Sequence, residues 1–391
     1  MSFARRYQNI DDFGTAARRR LPRIFADYID GGAFSETTLR RNREGFDAWA
    51  LRQRVLAPLR APDLTTRVLG RDLPLPFAPG PVGFLGLYRR DGDILVAQAA
   101  ARAGVPMVLS AFSVHGPETI ARRTGQAPEF QLYLDIDDAV TDSYVATARA
   151  AGAGTLFVTV DTAITSNRER DGRNGFRAVT RITPALFLQF ASKPAWALDL
   201  LRNGFPEMEL VAGRPGFGKG ALAQAAALSG RLDKDLTWDK IRRLRDRWPG
   251  RLVVKGIADP EDAALARAED IDGIVLSNHG GRQLDHGPAT VTLIPEMRRA
   301  LGPGKALFVD SGFRRGSDIV KALALGADFV LLGRPFAWAV AAEGERGATA
   351  VFDMLAAEIA ITLQLMGLSS LAELKARGPE VLRPLTPQPQ P

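Results

Sequence analysis

The stretch DGIVLSNHGGRQLD, residues 272–285, begins as an apolar run and changes abruptly into a histidine followed by two glycines and an arginine. A run that is apolar throughout, rather than at alternate positions, is typical of a parallel strand covered on both faces. Glycines at its end let another group approach the backbone closely. Because the chain contains only three histidines, this one predicts a functional site at the carboxyl end of a buried strand.

Seven more apolar runs share this character, and segments of helical periodicity separate most of them. In chain order the eight runs are LPFAPGPVG (75–83), VPMVLS (105–110), PEFQLYL (128–134), GTLFVTVD (154–161), RLVVKG (251–256), DGIVLSN (272–278), ALFVDSG (306–312) and DFVLLG (328–333). Eight such strands alternating with helices predict an α/β fold of the (β/α)8 TIM-barrel type. An open doubly wound sheet is the alternative.

The rhythm of strands and helices also predicts the domain organisation. Residues 1–75 precede the first barrel strand and are expected to form an N-terminal helical cap, and residues 76–375 form the barrel. A long insertion after strand 4, residues 177–235, interrupts it and is rich in aromatic and apolar side chains. Long insertions in compact domains are usually functional or disordered. Residues 376–391 are expected to be a C-terminal tail, with a disordered TPQPQP end.

The composition limits the classes of function. The chain has no cysteine, which excludes disulfides and cysteine nucleophiles, and no metal site is predicted. There are 51 basic and 44 acidic residues, but no long Lys/Arg block with interleaved aromatics, so nucleic acid is not an expected partner. The sequence contains no run of eighteen or more apolar residues, so no bilayer-spanning segment is predicted. The Arg-rich start lacks the apolar core of a secretory signal, so a cytoplasmic protein is expected.

Chemically useful side chains follow nearly every predicted strand. Because the carboxyl ends of barrel strands meet on one face, these groups are expected to form one site. Glycine and arginine recur after strands 7 and 8, where backbone N–H groups, helix N-termini and guanidinium groups together favour a phosphate. The residues concerned are Gln131, Tyr133, Thr159, Asp161, Lys255, His279, Arg282, Asp310, Gly312, Arg314, Gly333 and Arg334.

Three of these motifs carry a family resemblance. SNHGGRQLD, DSGFRRGSDIVKALALGA and LLGRP resemble segments of the FMN-dependent α-hydroxy-acid dehydrogenase and oxidase family, whose members include glycolate oxidase and flavin-linked lactate dehydrogenases. The resemblance extends through nearly the whole chain. SNRERDGRNGF and KPAWALDLLRNGFPEM are similar to segments of the membrane-associated (S)-mandelate dehydrogenase branch.

The resemblance implies roles for the catalytic residues. His279 is implied as the base that takes a proton from the substrate, and Asp161 as the carboxylate that orients it and stabilises its charged form. Arg282, Arg168 and Tyr28 are implied to hold the substrate carboxylate, since a guanidinium fork suits a carboxylate. Tyr133 is implied to form a hydrogen bond near the substrate oxygen.

FMN is the implied cofactor, and the family's binding positions can be transferred to this chain. The turn after strand 1 is expected to pass along the flavin, several side chains to bind its ring and ribityl chain, Lys255 to lie near flavin N1, where reduction adds negative charge, and the two Gly-Arg turns to bind its phosphate. The residues are Pro81, Val82, Gly83, Ser110, Gln131, Thr159, Lys255, Ser277, Asp310, Gly312, Arg314, Gly333 and Arg334.

Some positions depart from the family or are expected to have no special role. Gly83 stands where small-acid oxidases carry alanine, so a bulkier or differently posed substrate is expected. Phe112 stands where plant-type oxidases carry tryptophan, which indicates a different pocket wall. Arg170 and Asp171 are expected to form solvated ion pairs. His286 is expected to be a surface or rim histidine.

The first functional hypothesis is therefore FMN-dependent oxidation of an (S)-2-hydroxy acid, mandelate-like or lactate, to the 2-oxo acid. Electrons would pass to a membrane quinone or a similar carrier, and an oxidase that uses O2 is the alternative. A flavin-free barrel that binds or isomerises a phosphorylated metabolite is the hypothesis from a different class. The resemblance also implies a homotetramer.

The insertion bears on the choice of electron acceptor. Its apolar side chains Phe187, Leu188, Phe190, Trp196, Leu198, Leu200 and Leu201 stand among the basic residues Arg181, Lys193 and Arg202. Such a segment suits the interface of a membrane, and peripheral contact with the cytoplasmic membrane face is expected. Packing on the barrel or between subunits is the alternative. Because the predicted site residues lie outside the insertion, substrate oxidation is expected not to depend on it.

Overall fold

The computed structural model describes residues 2–58, 60–176 and 183–385. The segment before the barrel contains helices and, in its second half, short strands. They are α1 (Phe3–Arg6), α2 (Ile10–Arg20), α3 (Arg23–Asp30), α4 (Thr37–Glu44), a 3-10 turn (Gly45–Ala48), β1 (Trp49–Leu51), β2 (Thr66–Val68) and β3 (Arg71–Leu73). A helical cap is predicted for residues 1–75, but the helices of this segment end by residue 48 and short strands follow. Asn9 caps α2, since its side chain accepts a hydrogen bond from the Asp12 backbone.

The first half of the barrel alternates strands with helices. Its elements are β4 (Phe77–Pro79), α5 (Leu85–Tyr88), α6 (Gly92–Arg102), β5 (Val108–Ser110), α7 (Pro117–Thr124), β6 (Glu129–Leu132), α8 (Asp138–Ala150) and β7 (Thr155–Thr159). The following connection contains α9 (Glu169–Asn174), α10 (Pro184–Ala191), α11 (Pro194–Asn203), α12 (Ala221–Gly230) and α13 (Trp238–Arg247). The predicted insertion is therefore largely helical where it is described; its first six residues, including Arg181, lie outside the described residues.

The second half completes the barrel. Its elements are β8 (Arg251–Ile257), α14 (Pro260–Ala268), β9 (Gly273–Leu276), α15 (Thr290–Leu301), β10 (Ala306–Val309), α16 (Gly316–Ala324), β11 (Phe329–Leu332) and α17 (Arg334–Glu343). The chain ends with α18 (Glu345–Leu365), α19 (Leu371–Arg377), a 3-10 turn (Gly378–Val381) and β12 (Leu382–Pro384).

The eight strands β4 to β11 form one parallel sheet in the order β4-β11-β10-β9-β8-β7-β6-β5. The first strand thus pairs with the last, and the sheet is nearly closed as a barrel. The predicted TIM barrel is confirmed, and each of the eight apolar runs contains one of its strands. Because both faces of these strands are covered, β5, β6, β7, β9 and β11 are buried at every position.

The N-terminal segment closes against the barrel rather than standing apart from it. Helix α2 packs against α17, the helix after the last strand. Its buried residues Ile10, Phe13 and Ala17 belong to the same core as the barrel strands. At the other end, β12 pairs antiparallel with β1. Part of the predicted C-terminal tail is therefore ordered, while TPQPQP lies outside the described residues.

Helix α18 is long and apolar enough to cross a membrane by length and composition alone, with a mean hydropathy of 1.5. Its buried residues include Val351, Leu355, Ile359 and Leu363. It packs against α6, α16 and α17 on the outside of the barrel. One face of the helix therefore belongs to the core, while Ile361 and Leu365 are exposed.

Candidate active site

A cavity of about 480 Å³ opens at the carboxyl ends of the barrel strands. Most of the predicted site residues line it. They are Tyr28, Pro81, Val82, Gly83, Ser110, Tyr133, Thr159, Arg168, Lys255, His279, Arg282, Asp310, Gly312, Arg314, Gly333 and Arg334. The structure therefore gathers residues that lie more than 300 positions apart in the sequence, because parallel strands bring their ends to one face.

Three predicted residues lie behind the cavity wall and hold side chains that line it. Gln131 accepts a hydrogen bond from the Ser110 hydroxyl at 3.2 Å and donates one to the Thr159 hydroxyl at 2.9 Å. Ser277 accepts a hydrogen bond from the Lys255 ammonium at 3.0 Å. The third, Asp161, accepts one from His279.

His279 and Asp161 form a hydrogen-bonded acid–base pair at the cavity. His279 Nδ1 lies 3.0 and 3.2 Å from the two Asp161 carboxylate oxygens. Burial lowers the pKa of the His279 imidazole below its ordinary value of 6.5, and the attraction of Asp161 does not cancel this effect. Burial alone would raise the pKa of Asp161, but its interaction with His279, which includes their hydrogen bond, and the charge of Lys255 outweigh burial and lower that pKa. At neutral pH the pair is therefore a carboxylate beside a neutral imidazole.

A glycine makes room for this pair from behind. Gly256 in β8 has φ +111°, and a Cβ there would lie 2.7 Å from Asp161 Cβ. The register between β8 and β9 shifts between Lys255 and Ile257, on either side of this glycine. The irregular strand end thus lets the Asp161 carboxylate sit against the β8 backbone, within reach of the imidazole.

The turn after His279 contains two glycines that allow other parts of the chain to pack closely against it. His279, Gly280 and Gly281 have φ values of +55°, +67° and +75°, a left-handed conformation that glycine adopts easily and other residues rarely do. A Cβ at Gly280 would lie 2.7 Å from the Arg334 guanidinium, and one at Gly281 would lie 2.6 Å from the Leu39 backbone nitrogen. The turn therefore lets an arginine of the cavity and the N-terminal helix α4 close against it.

Two guanidinium groups lie near one tyrosine ring beside the imidazole. The Arg282 and Arg168 guanidinium carbons are 4.5 and 5.8 Å from the centre of the Tyr28 ring. Arg282 also donates to the backbone carbonyls of Tyr28 and Gly31, so the N-terminal segment fixes its position. This arrangement presents two positive charges and a phenol to one side of the cavity.

Asp171 lies in the cavity wall and is 1 % exposed, so its prediction as part of a solvated pair is wrong. Its carboxylate lies 3.8 Å from the Arg168 guanidinium. Burial follows because α9, which carries Asp171, packs against α3. Arg170 on the same helix pairs with Glu36 at 2.6 Å and remains partly exposed. His286 is 71 % exposed, as predicted for a surface histidine.

Lys255 and Tyr133 are two further polar residues that line the cavity. The Lys255 ammonium lies 3.1 Å from the Asp310 carboxylate. Burial alone would lower the pKa of Lys255, but the carboxylates of Asp310 and Asp161 outweigh burial and raise it, so the side chain stays charged. Burial and the Asp161 carboxylate raise the pKa of the Tyr133 phenol, which therefore remains a hydrogen-bond donor.

Two buried arginines of the cavity, Arg314 and Arg334, fit a phosphate. Arg334 donates to the carbonyls of Ile29, Gly280 and Gly31 at 2.8–3.0 Å. Burial lowers its pKa well below the usual value, and the charges of Arg282 and Arg314 add to that effect. Burial likewise lowers the pKa of Arg314 to about 10. Arg334 begins α17 and Arg314 lies just before α16. Because these buried cations repel one another near helix N-termini, an anion would stabilise them.

Apolar side chains that sequence reasoning missed form the remaining walls. Phe84 and Phe176 line the cavity, and Phe176 stacks on Tyr28 with ring centres 4.3 Å apart. Helix α12 of the insertion contributes Leu222, Ala225, Ala226 and Ser229. The predicted site residues lie outside the insertion, but part of the cavity wall belongs to it. The small residues along α12 were the available sequence signal, since they allow a helix to approach closely.

Gly83 and Phe112 meet at one wall of the cavity. A Cβ at Gly83 would lie 2.8 Å from the Phe112 Cβ. The phenyl ring of Phe112 in turn packs edge-on against Tyr133, with ring centres 5.4 Å apart. The glycine therefore allows the Phe112 segment to lie against the turn after β4, and an alanine would displace it.

The apolar hairpin, α10 and α11 (residues 184–203), is divided between the core and the surface. Phe190 and Trp196 are buried, and both rings pack against Phe25 of α3. The other side exposes a group of large side chains: Phe187 (62 %), Leu188 (67 %), Leu198 (47 %) and Leu201 (82 %). One side of the hairpin therefore packs against the rest of the protein, as the alternative prediction held. The other side is an exposed apolar surface.

Comparison with known proteins is consistent with this site. A family model described as FMN-dependent dehydrogenase matches residues 17–381. The L-lactate dehydrogenase of Caulobacter vibrioides is 40% identical over 365 residues, which are 93% of this chain and 95% of that protein. The (S)-mandelate dehydrogenase of Pseudomonas putida is 38% identical over 367 residues, 94% of this chain and 92% of that protein.

A solved structure shows the same fold at similar identity. The crystal structure of the monotopic membrane protein (S)-mandelate dehydrogenase superimposes with a TM-score of 0.91 at 37% identity, and the match covers 96% of this chain and 99% of that one. The family resemblance predicted from the motifs is confirmed, and with it FMN as the cofactor. The chain belongs to the FMN-dependent dehydrogenase family.

Proposed function

We propose that this protein oxidises an (S)-2-hydroxy acid with a bulky apolar substituent, such as mandelate, to the 2-oxo acid, with lactate as a poorer substrate. The observation that carries the proposal is the imidazole of His279, held by Asp161 in a cavity that also contains the guanidinium groups of Arg168 and Arg282. This combination supplies a base and a carboxylate-binding site side by side. A cavity built only to bind a phosphorylated metabolite would not need such a pair.

The imidazole of His279 accepts the proton that the substrate loses. Its Nδ1 faces Asp161, so Nε2 is the nitrogen available to the substrate. When the ring becomes positively charged, the carboxylate 3.0 Å away stabilises it, as a buried carboxylate does for a catalytic base. Gln283, whose amide donates to the Asp161 backbone carbonyl at 2.6 Å, helps to hold the pair in position.

The substrate carboxylate binds to Arg282 and Arg168, with the Tyr28 hydroxyl as a further donor. A planar guanidinium forms two parallel hydrogen bonds to a carboxylate, which fixes the orientation as well as the position of the acid. Tyr133 donates to the substrate oxygen from the opposite wall. Asp171 positions Arg168 by its charge from behind.

FMN, when bound, accepts the two electrons that the substrate loses. Lys255 would stabilise the negative charge that reduction adds, and the small residues after β4 would accommodate the ring. Arg314 and Arg334 would hold the phosphate. The remaining residues proposed to hold the cofactor are Pro81, Val82, Gly83, Ser110, Gln131, Thr159, Ser277, Asp310, Gly312 and Gly333.

The apolar walls support a bulky substituent. Phe84, Phe112 and Phe176 line the cavity together with the alanines of α12. Burying an aromatic ring among such side chains is favourable in proportion to its apolar area. A methyl group, as in lactate, would leave much of that surface without a partner.

The electron acceptor is proposed to be a quinone in a membrane that the apolar hairpin contacts. Its exposed side chains lie near the basic residues Lys193 and Arg202, a combination that favours the interface of an anionic bilayer. The structural neighbour described as monotopic supports this reading. The cytoplasmic face of the membrane and the homotetramer stay predictions.

The pH dependence of flavin reduction tests the role of His279. Because burial lowers the pKa of this imidazole below 6.5, the base is deprotonated at neutral pH and becomes protonated only as the pH falls through the lowered value. We expect kcat/KM for anaerobic flavin reduction to be constant above about pH 7 and to decline below pH 6.5. An acid limb with its midpoint above 6.5 would contradict the assignment.

The Arg282→Lys variant tests the carboxylate site and, with a series of acids, the substrate class. The change keeps the charge but removes the fork, so kcat/KM for (S)-mandelate should fall roughly 10- to 100-fold. Arg170→Lys, which alters an arginine paired with Glu36 outside the cavity lining, is the control and should change little. Unchanged kinetics for Arg282→Lys, or reduction by (S)-lactate faster than by (S)-mandelate in the unmodified enzyme, would contradict the proposal.

Charged substitutions in the apolar hairpin test membrane contact. The triple change Phe187→Glu, Leu188→Glu and Leu201→Glu should weaken sedimentation with anionic vesicles at least about 100-fold, since each side chain loses its apolar burial. Leu265→Glu with Ile361→Glu, at exposed apolar positions outside the hairpin, is the matched control. Flavin reduction by substrate should persist in both variants. Equal vesicle binding by the triple variant and the control would show that the hairpin does not dock the enzyme.

A further inference from the structure

A second cavity of about 180 Å³ lies between the barrel and the apolar hairpin. Gly86, Leu87 and His115 line it on the barrel side, and Trp196 and Leu200 of α11 line it on the other. The Trp196 indole donates to the Leu87 carbonyl at 2.9 Å, which fixes α11 against α5. The cavity is therefore part of the folded structure and has one wall in the barrel and one in the hairpin.

Only a short helix separates this cavity from the active site. Helix α5 contributes Tyr88 to the active-site cavity, and Phe84 just before it lines the same space, while Gly86 and Leu87 line the second cavity. The helix also lies very close to the segment of the same chain that contains Val114, since a Cβ at Gly86 would be 2.7 Å from the Val114 Cβ. The wall between the two cavities is thus about one helix diameter, about 10 Å.

The hairpin wall continues directly into the exposed apolar surface. Trp196 and Leu200 face the second cavity, while Leu198 and Leu201 of the same helix are 47 % and 82 % exposed. A lipophilic molecule whose tail lies along these exposed side chains could place a ring-sized head in the cavity. Its position between the proposed membrane contact and the active site distinguishes it from an ordinary surface depression.

His115 is a titratable side chain that lines this cavity. Its ring lies between two carboxylates, with Nε2 3.4 Å from Asp91 and Nδ1 3.4 Å from Asp93. Asp93 is fully buried, and its other oxygen has no hydrogen-bond partner among the described residues. Burial alone would lower the pKa of His115, but the carboxylates of Asp93, Glu209 and Asp91 outweigh burial and raise it.

We propose that the second cavity binds the head group of the quinone that reoxidises the flavin, with His115 as the proton donor to one quinone oxygen. The inference rests on the proposed function. The quinone gains two electrons from the reduced flavin and two protons and leaves as the quinol. His115 gives one proton and regains it from solvent by way of Asp91, which is partly exposed; the second proton comes from solvent at the cavity mouth, and the flavin releases its own protons to solvent.

The competing route is entry of the quinone into the active-site cavity after the 2-oxo acid has left. The two routes differ in competition, because only the second requires quinone and acid to exclude each other. A binding experiment on the oxidised holoenzyme separates them. Decylubiquinone is titrated calorimetrically with and without saturating phenylglyoxylate, the 2-oxo acid of mandelate. We expect the same dissociation constant in both titrations.

Filling the cavity provides a variant test with a matched control. Leu200→Phe enlarges a side chain that lines the cavity, so the dissociation constant for decylubiquinone should rise on the order of tenfold through overpacking. Leu265→Phe makes the same change at an exposed position outside the hairpin and should leave that constant unaltered. Reduction of the flavin by (S)-mandelate should be normal in both, which shows that each variant is folded.

The proton-donor role is tested by stopped-flow reoxidation of the pre-reduced flavin with decylubiquinone. His115→Gln should slow this step on the order of 100-fold, whereas reduction by (S)-mandelate remains normal. His286→Gln is the control at an exposed histidine.

Displacement of quinone by phenylglyoxylate, or normal reoxidation in both Leu200→Phe and His115→Gln, overturns the second site while leaving the quinone as acceptor. Failure of the unmodified enzyme to pass electrons to quinone overturns the proposed acceptor and this inference with it. If His115→Gln does not fold, the Leu200→Phe titration decides.

Discussion

The contact between the His279 imidazole and the Asp161 carboxylate is the interaction on which the rest of the site depends. Two opposing effects meet there: burial disfavours charge on either group, and their mutual attraction favours it. The balance leaves a carboxylate beside a neutral ring. Gly256 admits the carboxylate from behind, and the left-handed turn at Gly280 and Gly281 lets the N-terminal segment close over the imidazole. A base that is neutral at rest and stabilised once charged is what removal of a substrate proton requires.

Four guanidinium groups line one cavity. Arg168 and Arg282 lie against one tyrosine ring, Arg334 begins α17, and Arg314 lies just before α16. Arg282 and Arg334 donate to the same backbone carbonyl, that of Gly31. Burial lowers the pKa of Arg334, and the charges of Arg282 and Arg314 lower it further. This concentration of positive charge would stabilise both the anionic substrate and the anionic cofactor proposed above.

The sequence predicted most of what depends on strand ends and little of what depends on packing between distant segments. His279 and Lys255 could be assigned to one face because continuous apolar runs reveal parallel strands. The burial of Asp171 could not be predicted, because it arises when α9 packs on α3, more than 130 residues earlier in the chain. The contribution of α12 to the cavity wall, and the second cavity beside His115, likewise depend on how the insertion folds back onto the barrel.

Single-turnover reduction of the flavin in the His279→Gln holoenzyme tests the central claim most directly. The substitution removes the base but leaves the arginines and the cofactor-binding residues in place. The account predicts that the variant retains FMN, binds (S)-mandelate and reduces the flavin several orders of magnitude more slowly than the unmodified enzyme, on the order of 10³-fold or more. Reduction at a near-normal rate with full FMN content would contradict it, because some other group would then have to accept the substrate proton.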